Sequence, residues 1–302
     1  TAYLDPQAYQ LSTGDFQGKF DGIGASVGLR DKIITVIAPI PDSPAAKAGI
    51  KPGDTILEIN GQSTSGMTVE EAVSRIRGPK GTAVKLLIQH TDDAKPVEIE
   101  IIRAEIKLTS VSFVMKGDTA YIRISHFTEQ TDEELLPVLG TINQTGATGI
   151  ILDLRSNPGG YLDEVVDVAS HFIKEGIVVS TVDNQGRKDT LSVRAGSSKT
   201  DLPIVVLTDN YSASASEVLT GDLQDYGRAT IAGTQTYGKG SVNQMYPLKD
   251  GSGLYITIGR WLTPHGRMIE GKGITPDPGC ELDLKGDDAI QWALDFLKSK
   301  RQ

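Results

Sequence analysis

"LPIVVLTDNYSASASEVLTGDLQDYG", residues 202–227, is a strand that turns into a helix through a run of small residues. The apolar stretch 203–208 has the length of a strand and no helical period, so it reads as a strand buried on both faces. From Ala215 the pattern changes: Ala215, Val218, Leu219, Leu223 and Tyr226 share one face at a spacing of 3.6 residues. A strand followed by a crossover helix is the unit of a parallel sheet, and the unit recurs on either side. Upstream lie the strand "TAYIRIS", the helix "EELLPVLGTIN" (running through Pro137), the strand "TGIILDLR" and the helix "YLDEVVDVASHFIKEG". Downstream comes the strand "RATIAGT", then a hairpin of "SVNQMYPL" and "GLYITIGRWL" about "KDGSG", and a closing helix "DDAIQWALDFLKSK". The implied core is α/β, with a mostly parallel sheet covered on both faces.

Residues 15–105 have another texture. The short β-rich runs "KIITVIA", "DTILEING", "AVKLLIQ" and "VEIEIIR" are punctuated by Gly and Pro, as expected of a mainly-β, mostly antiparallel module. One helix interrupts them, with Val69, Ala72, Val73 and Ile76 on one face, Thr68 and Glu71 as a capping box and Gly78 as the C-terminal stop. The division expected is therefore 1–14 as the start of the core, 15–105 as the inserted module and 106–302 as the rest of the core.

Composition limits the function classes. A net charge of −9 over 302 residues argues against nucleic acid, which needs a Lys/Arg surplus, and gives no reason to expect anionic membranes. The longest apolar runs, 148–154 and 203–207, are too short to span a bilayer. A single cysteine, Cys280, excludes an internal disulfide and a cysteine-rich zinc site. The opening "TAYLDPQAY" reads as the interior of a longer chain, which implies a removed upstream segment.

Three stretches could carry chemistry. "GTQTYGKGSV", residues 233–242, fits G-x-x-x-x-G-K but has Gly240 where a phosphate loop needs the hydroxyl that binds magnesium. The residues after Gly240 have an extended pattern, whereas a phosphate loop opens a helix. Lys239 then reads as a surface-turn lysine or as a base for a serine, a role that burial favours because desolvation disfavours the ammonium form. The turn 212–216 offers Ser212, Ser214 and Ser216. Ser214 with Glu217 fits a capping box, yet a serine at a helix start also has unpaired N–H groups beside it to stabilise an oxyanion. "LDLRSNPGGYL" is either a plain Pro-Gly turn or a set of backbone N–H groups aimed at a ligand. In a parallel sheet both turns fall at the carboxyl ends of strands, where sites gather. His90, His126, His171 and His265 lie in no metal-binding pattern and beside none of these turns, with His265 the reserve base. "DGIGASVG" misses the dinucleotide fingerprint by one position and has no strand pattern before it.

The blocks "DGIGASVG", "SPAAKAGIKPGDTILEING", "RIRGPKGT", "GIILDLRSNPGG", "SASASE", "LQDYGRA", "TYGKG" and "WLTPHG" occur in that order and together cover most of the chain. In this set the chain resembles the C-terminal processing peptidases, tail-specific serine proteases with an inserted PDZ domain. The resemblance implies an α/β core of crotonase/ClpP-like fold, with Ser214 as nucleophile and Lys239 as general base. It also implies a supporting amide four residues after the lysine, which is Asn243 here with Gln244 next to it, and an aspartate sometimes assigned to the site, Asp225, which equally suits a structural pairing with Arg228. The oxyanion hole would use the N–H of Gly159 or Gly160 together with that of Ala215. Gly22, Ile23, Gly24 and Ala25 would receive a peptide carboxylate, the peptide would add as a strand beside residues 25–29, and Arg77 would link the PDZ domain to the protease site. No metal or cofactor is implied. The partners implied are proteins or peptides with free apolar C-termini, with room left for a homo-oligomer and a regulatory partner, and the compartment is an exported one. The rival readings are a peptide-binding PDZ scaffold with a silent core and a phosphate-loop nucleotidase.

Overall fold

The computed structural model describes every residue except 7, 10–12, 14–17, 31, 92, 94, 197–199, 284, 285, 301 and 302, so the boundary expected at 14–15 lies outside the described residues. The chain divides into two units, Thr1–Gly18 with Thr109–Gln302, and Lys19–Leu108. In chain order the first unit opens with β1 (Ala2–Leu4). The second unit holds β2 (Lys19–Gly22), β3 (Ala25–Arg30), β4 (Ile33–Pro39), α1 (Pro44–Lys47), β5 (Thr55–Ile59), β6 (Gln62–Ser63), α2 (Val69–Ile76), β7 (Ala83–Gln89), β8 (Val97–Ile102) and β9 (Ala104–Lys107). The first unit resumes with β10 (Val111–Lys116), β11 (Thr119–Ile124), α3 (Thr131–Gln144), β12 (Gly149–Asp153), α4 (Leu162–Ser170), β13 (Ile177–Val182), β14 (Lys188–Ser192) and β15 (Ile204–Thr208). It closes with α5 (Ala215–Asp225), β16 (Ala229–Gly233), β17 (Ser241–Pro247), β18 (Gly253–Leu262) and α6 (Asp287–Ser299).

The central sheet has the order β10-β11-β12-β15-β16, parallel from β11 to β16 with β10 antiparallel at one edge. Its central strands β12 and β15 are buried throughout and almost wholly apolar because both faces are covered. Successive residues go to opposite faces. Ile150, Leu152, Ile204, Val206 and Ile231 pack into the cluster that includes residues of α3, α4 and α5. Ile151, Val205, Leu207 and Ala232 pack instead with Ala289, Ile290, Ala293 and Leu297 of α6. A second, antiparallel sheet has the order β1-β18-β13-β14, with β17 paired to β18. In the Lys19–Leu108 unit β3 is an edge strand of the sheet β3-β4-β5-β7-β8. The capping box of Thr68 and Glu71 forms, α2 ends at Ile76, and Gly78 follows the C-cap Arg77.

Two expectations need correction, and one hairpin is added. A strand, β2, does precede "GIGA", held by antiparallel pairing with β9. Helix α4 stops at Ser170 rather than running through "HFIKEG", because His171, Phe172 and Ile173 are drawn into the interior and the N–H of His171 and Phe172 bond back only three residues. The hairpin β13–β14, which turns at Asp183–Gly186, corresponds to no motif in the sequence. Helix α3 runs through Pro137 as expected.

Helix α5 carries a buried acid. Asp222 is fully enclosed, and neither carboxylate oxygen has a partner among the described residues. Burial, with the nearby charge of Asp225 adding to it, pushes its pKa well above the ordinary carboxylate value. Above about pH 4 the unfolded chain releases this proton while the folded chain retains it, so stability falls as pH rises. An unpaired buried polar group costs about 1–3 kcal/mol. Asp222→Ala is therefore expected to raise the melting temperature at pH 7 and to gain less at pH 3.5. Calorimetry at the two pH values checks this, and a variant no more stable than wild type at pH 7 would contradict it.

Candidate active site

Strands β12 and β15 are parallel neighbours, so the turns that leave their carboxyl ends lie side by side. Hydrogen bonds lock the turns together. Ser212 Oγ donates to the Leu154 carbonyl at 2.8 Å, the Ala213 N–H to the Asn157 carbonyl at 3.0 Å, and Ser216 Oγ to the same carbonyl at 2.9 Å. These bonds separate the three serines. Ser212 and Ser216 are buried with their hydroxyls spent on backbone, while Ser214 is half-buried and lines a cleft of about 870 Å³. Its backbone sits at φ 55°, ψ −116°, the conformation of the first central residue of a type II′ turn, which is normally glycine. Such a geometry costs a non-glycine residue about 1–3 kcal/mol and persists only where the surroundings over-determine it. It presents the hydroxyl at a sharp strand-to-helix turn, beside the Ala215 N–H, which among the described residues has no partner, while those of Ser216, Glu217 and Val218 are already bonded to the carbonyls of Ala213 and Ser214.

Lys239 lines the same cleft, half-buried, at the end of the segment that joins β16 to β17. Its carbonyl accepts from Trp261 Nε1 at 2.8 Å and its N–H donates to Glu217 at 2.8 Å. Its Nζ lies 3.5 Å from Tyr255 Oη, and among the described residues it makes no hydrogen bond to Ser214 Oγ. No sequence motif marks Tyr255. The pairings Met245↔Tyr255 and Asn243↔Thr257 put Tyr255 on the face of the hairpin that Asn243 shares, and strand alternation was the signal that could have found it. The segment after Lys239 is the strand β17, not the helix a phosphate loop requires.

Several expected residues have other partners. Asn243 lines the cleft, but its amide oxygen accepts from Thr257 Oγ1 at 2.8 Å and its Nδ2 lies 3.3 Å from Ser241 Oγ, so it does not support Lys239 in this arrangement. Gln244 accepts from the Tyr246 hydroxyl at 2.9 Å. Asp225 ends α5, eleven residues beyond Ser214 and about 16 Å along the helix. There it binds the Arg267 guanidinium at 2.5 Å and the His265 N–H at 2.8 Å, which removes it from the cleft. Arg228, its other expected partner, donates instead to the carbonyls of Phe172 and Thr200. His265 is exposed beside Asp225, away from the cleft. His126, expected beside none of the turns, does line the cleft.

Of the two glycines expected to donate to an oxyanion, Gly159 gives its N–H to Asn157 Oδ1 at 2.9 Å. Gly160 is bridged to Phe127 through the Gly159 carbonyl and the Tyr161 N–H, which leaves the Gly160 N–H directed to the other side. A Cβ on Gly159 would stand 2.7 Å from Ser214 Cβ and 2.9 Å from the Ala215 nitrogen, at φ +100°, so the two turns approach this closely only with glycine there.

In the Lys19–Leu108 unit a groove of about 280 Å³ runs between the edge strand β3 and α2, lined by Ile23, Gly24, Ala25, Val73 and Arg77 among others. Gly22 ends β2 at the approach to it. The Arg77 guanidinium lies 4.3 Å above the centre of the Phe20 ring.

Residues 118–279 match the peptidase family S41, and residues 13–89 match the PDZ domain family. The carboxy-terminal-processing protease of Bartonella bacilliformis is 41% identical over 292 residues, covering 94% of this chain and 67% of that protein. The carboxy-terminal processing protease CtpB of Bacillus subtilis is 38% identical over 281 residues, covering 91% of this chain and only 58% of that protein. Among solved structures, the photosystem II D1 C-terminal processing protease superposes with a TM-score of 0.58 at 29% identity, over 94% of this chain and 78% of that one. The chain belongs to peptidase family S41, among the carboxy-terminal-processing serine proteases that carry a PDZ domain.

Proposed function

We propose that this chain cleaves proteins near their C-termini with a Ser214–Lys239 dyad, and that its PDZ unit binds the substrate tail and gates the reaction. The observation that carries the dyad is the meeting of two side chains in one cleft: a serine held at positive φ at a helix start, and a lysine from the segment before β17. In this reading neutral Lys239 takes the proton from Ser214 Oγ as the oxygen attacks the scissile carbonyl. The N–H groups of Gly160 and Ala215 receive the oxyanion, and the lysine then protonates the leaving amine. Water, deprotonated by the same lysine, releases the acyl group. The contact of Nζ with Tyr255 is a resting position, from which the lysine side chain turns toward Ser214. Leu162, Val218, Met245 and Trp261 on the cleft walls suit an apolar side chain of the substrate.

The edge position of β3 supports tail binding by strand addition, with the carboxylate at the N–H groups of Gly22 to Ala25. Substrate proteins are thus the partners, and the core is read as crotonase/ClpP-like.

One experiment tests the dyad: cleavage of an unfolded protein with an apolar tail and free carboxylate by wild type, Ser214→Ala, Lys239→Ala and His126→Ala. The first two variants are expected to lose at least about 10³-fold in kcat/KM, as for the members of a catalytic unit. His126→Ala is expected to retain most of the activity. Absence of cleavage by the wild type would leave a peptide-binding scaffold, wild-type rates in Ser214→Ala would remove Ser214 from the reaction, and loss in His126→Ala with retention in Lys239→Ala would move the base to His126.

The tail-binding reading predicts a dependence on the free carboxylate. Amidating the C-terminus of a peptide substrate should raise KM about 10-fold or more, since a charge-assisted anchor of about 1.5–3 kcal/mol is lost. Removal of residues 19–108 should abolish the discrimination between the acid and the amide. Equal rates for both peptides in the intact chain would contradict the reading.

A further inference from the structure

We propose that Glu217 is the positioning residue that fixes the two members of the dyad relative to each other; the proposal rests on the Ser214–Lys239 reading. In the sequence Glu217 looks like half of a capping box, and one of its bonds is that of a cap: Oε2 accepts from the Ser214 N–H at 2.9 Å. The same oxygen accepts from the Lys239 N–H at 2.8 Å. Oε1 accepts from the Gly238 N–H at 2.6 Å and from Thr236 Oγ1 at 2.6 Å. Four donors thus converge on one carboxylate that is wholly enclosed, which is the number its lone pairs accommodate.

A helix cap needs only the first of these bonds. The other three reach a segment about twenty residues further along the chain, which has no regular secondary structure at Thr236–Lys239. The backbone nitrogens of the nucleophile and of the base therefore share a single oxygen atom. Bonds to a charged acceptor are short and strong, so the main chains beneath both side chains are held in one geometry. Thr236 extends the tie, since its hydroxyl also accepts from the Ile274 N–H at 2.7 Å. The carboxylate touches neither hydroxyl nor ammonium of the dyad among these bonds. It acts through the backbone, and its loss should appear in the chemical step rather than in substrate binding.

The test compares wild type with Glu217→Gln and Glu217→Asp, with Ser214→Ala as the inactive reference. The substrate is a quenched-fluorescent peptide ending in Leu-Ala with a free carboxylate, and a fluorophosphonate probe reports the reactivity of the serine. Glutamine turns an amide NH₂ toward donors. Aspartate keeps the charge and the cap but is one methylene too short to reach Gly238 and Lys239 as well. Both are expected to lower kcat about 10²-fold with KM within about twofold, as for a displacement of about 1 Å in a catalytic geometry. Fluorophosphonate labelling should slow by the same factor. A residue that only caps α5 would lower the melting temperature and leave kcat intact well below it. Folded Glu217→Gln or Glu217→Asp with wild-type kcat overturns the proposal. If neither variant folds, hydrogen exchange in the wild-type chain decides: the amides of Gly238 and Lys239 should exchange as slowly as those of α5, and fast exchange overturns the proposal. Activity retained in Ser214→Ala would instead overturn the dyad reading. An inactive Ser214→Ala beside fully active Glu217 variants removes the role of Glu217 alone.

Discussion

The site depends on Asn157, a buried side chain that joins three strand ends. Its Nδ2 donates to the Ile124 carbonyl at the end of β11, its Oδ1 accepts from the Gly159 N–H in its own turn, and its carbonyl accepts from Ala213 and Ser216 in the turn after β15. Each is a buried polar group that would cost more unpaired than the bond itself contributes. Asp209 adds a second tie, accepting from the N–H and hydroxyl of Ser156 in one turn and from the N–H of Tyr211 and Ser212 in the other. The carboxyl edge of the parallel sheet is thus a connected polar network, which holds geometry better than independent bonds would.

That rigidity is what permits the conformation of Ser214. A serine at φ 55° relaxes unless its neighbours are fixed. The residue before it is bound to Asn157, its own N–H to Glu217, and its carbonyl accepts from the N–H of Glu217 at 2.8 Å. The buried acid Asp222 lies on the same helix, without partners among the described residues. Helix α5 therefore carries both a strained first turn and an unpaired carboxyl. Its stability comes from the apolar residues Val218, Leu219 and Leu223, which are packed in the large core cluster.

The parallel sheet was legible because burial on both faces leaves a local mark, unbroken apolar runs at 149–152 and 204–207 with helical periods after them. The hairpin β13–β14 was missed because one strand, "KDTLS", is mostly exposed and polar and borrows its order from pairing with β13. The early end of α4 was illegible for the opposite reason: "HFI" keeps a helical pattern while tertiary burial pulls it out of the helix. In the site, the sequence offers Ser214 and Lys239 as candidates among alternatives, whereas Tyr255, Asn157 and Glu217 act through partners far along the chain. Asp225 shows the limit of reading roles from position, since eleven helical residues carry it away from Ser214 to Arg267.

Gly240 joins the sequence pattern to the packing. In a phosphate loop that position supplies a hydroxyl for magnesium, so its glycine first appears as a missing letter. The structure gives the glycine a positive reason. A Cβ at Gly240 would stand 2.5 Å from the Glu270 backbone nitrogen, closer than any real contact. The carbonyl of Gly240 also accepts from the Trp261 N–H at 2.9 Å, while the Trp261 indole donates to the carbonyl of Lys239. The chain on the far side of the lysine is therefore pressed between β18 and the loop at Glu270, just as the near side is held by the Glu217 carboxylate. A lysine fixed at its main chain on both sides retains only its side-chain torsions, and with those its Nζ rests 3.5 Å from Tyr255 Oη.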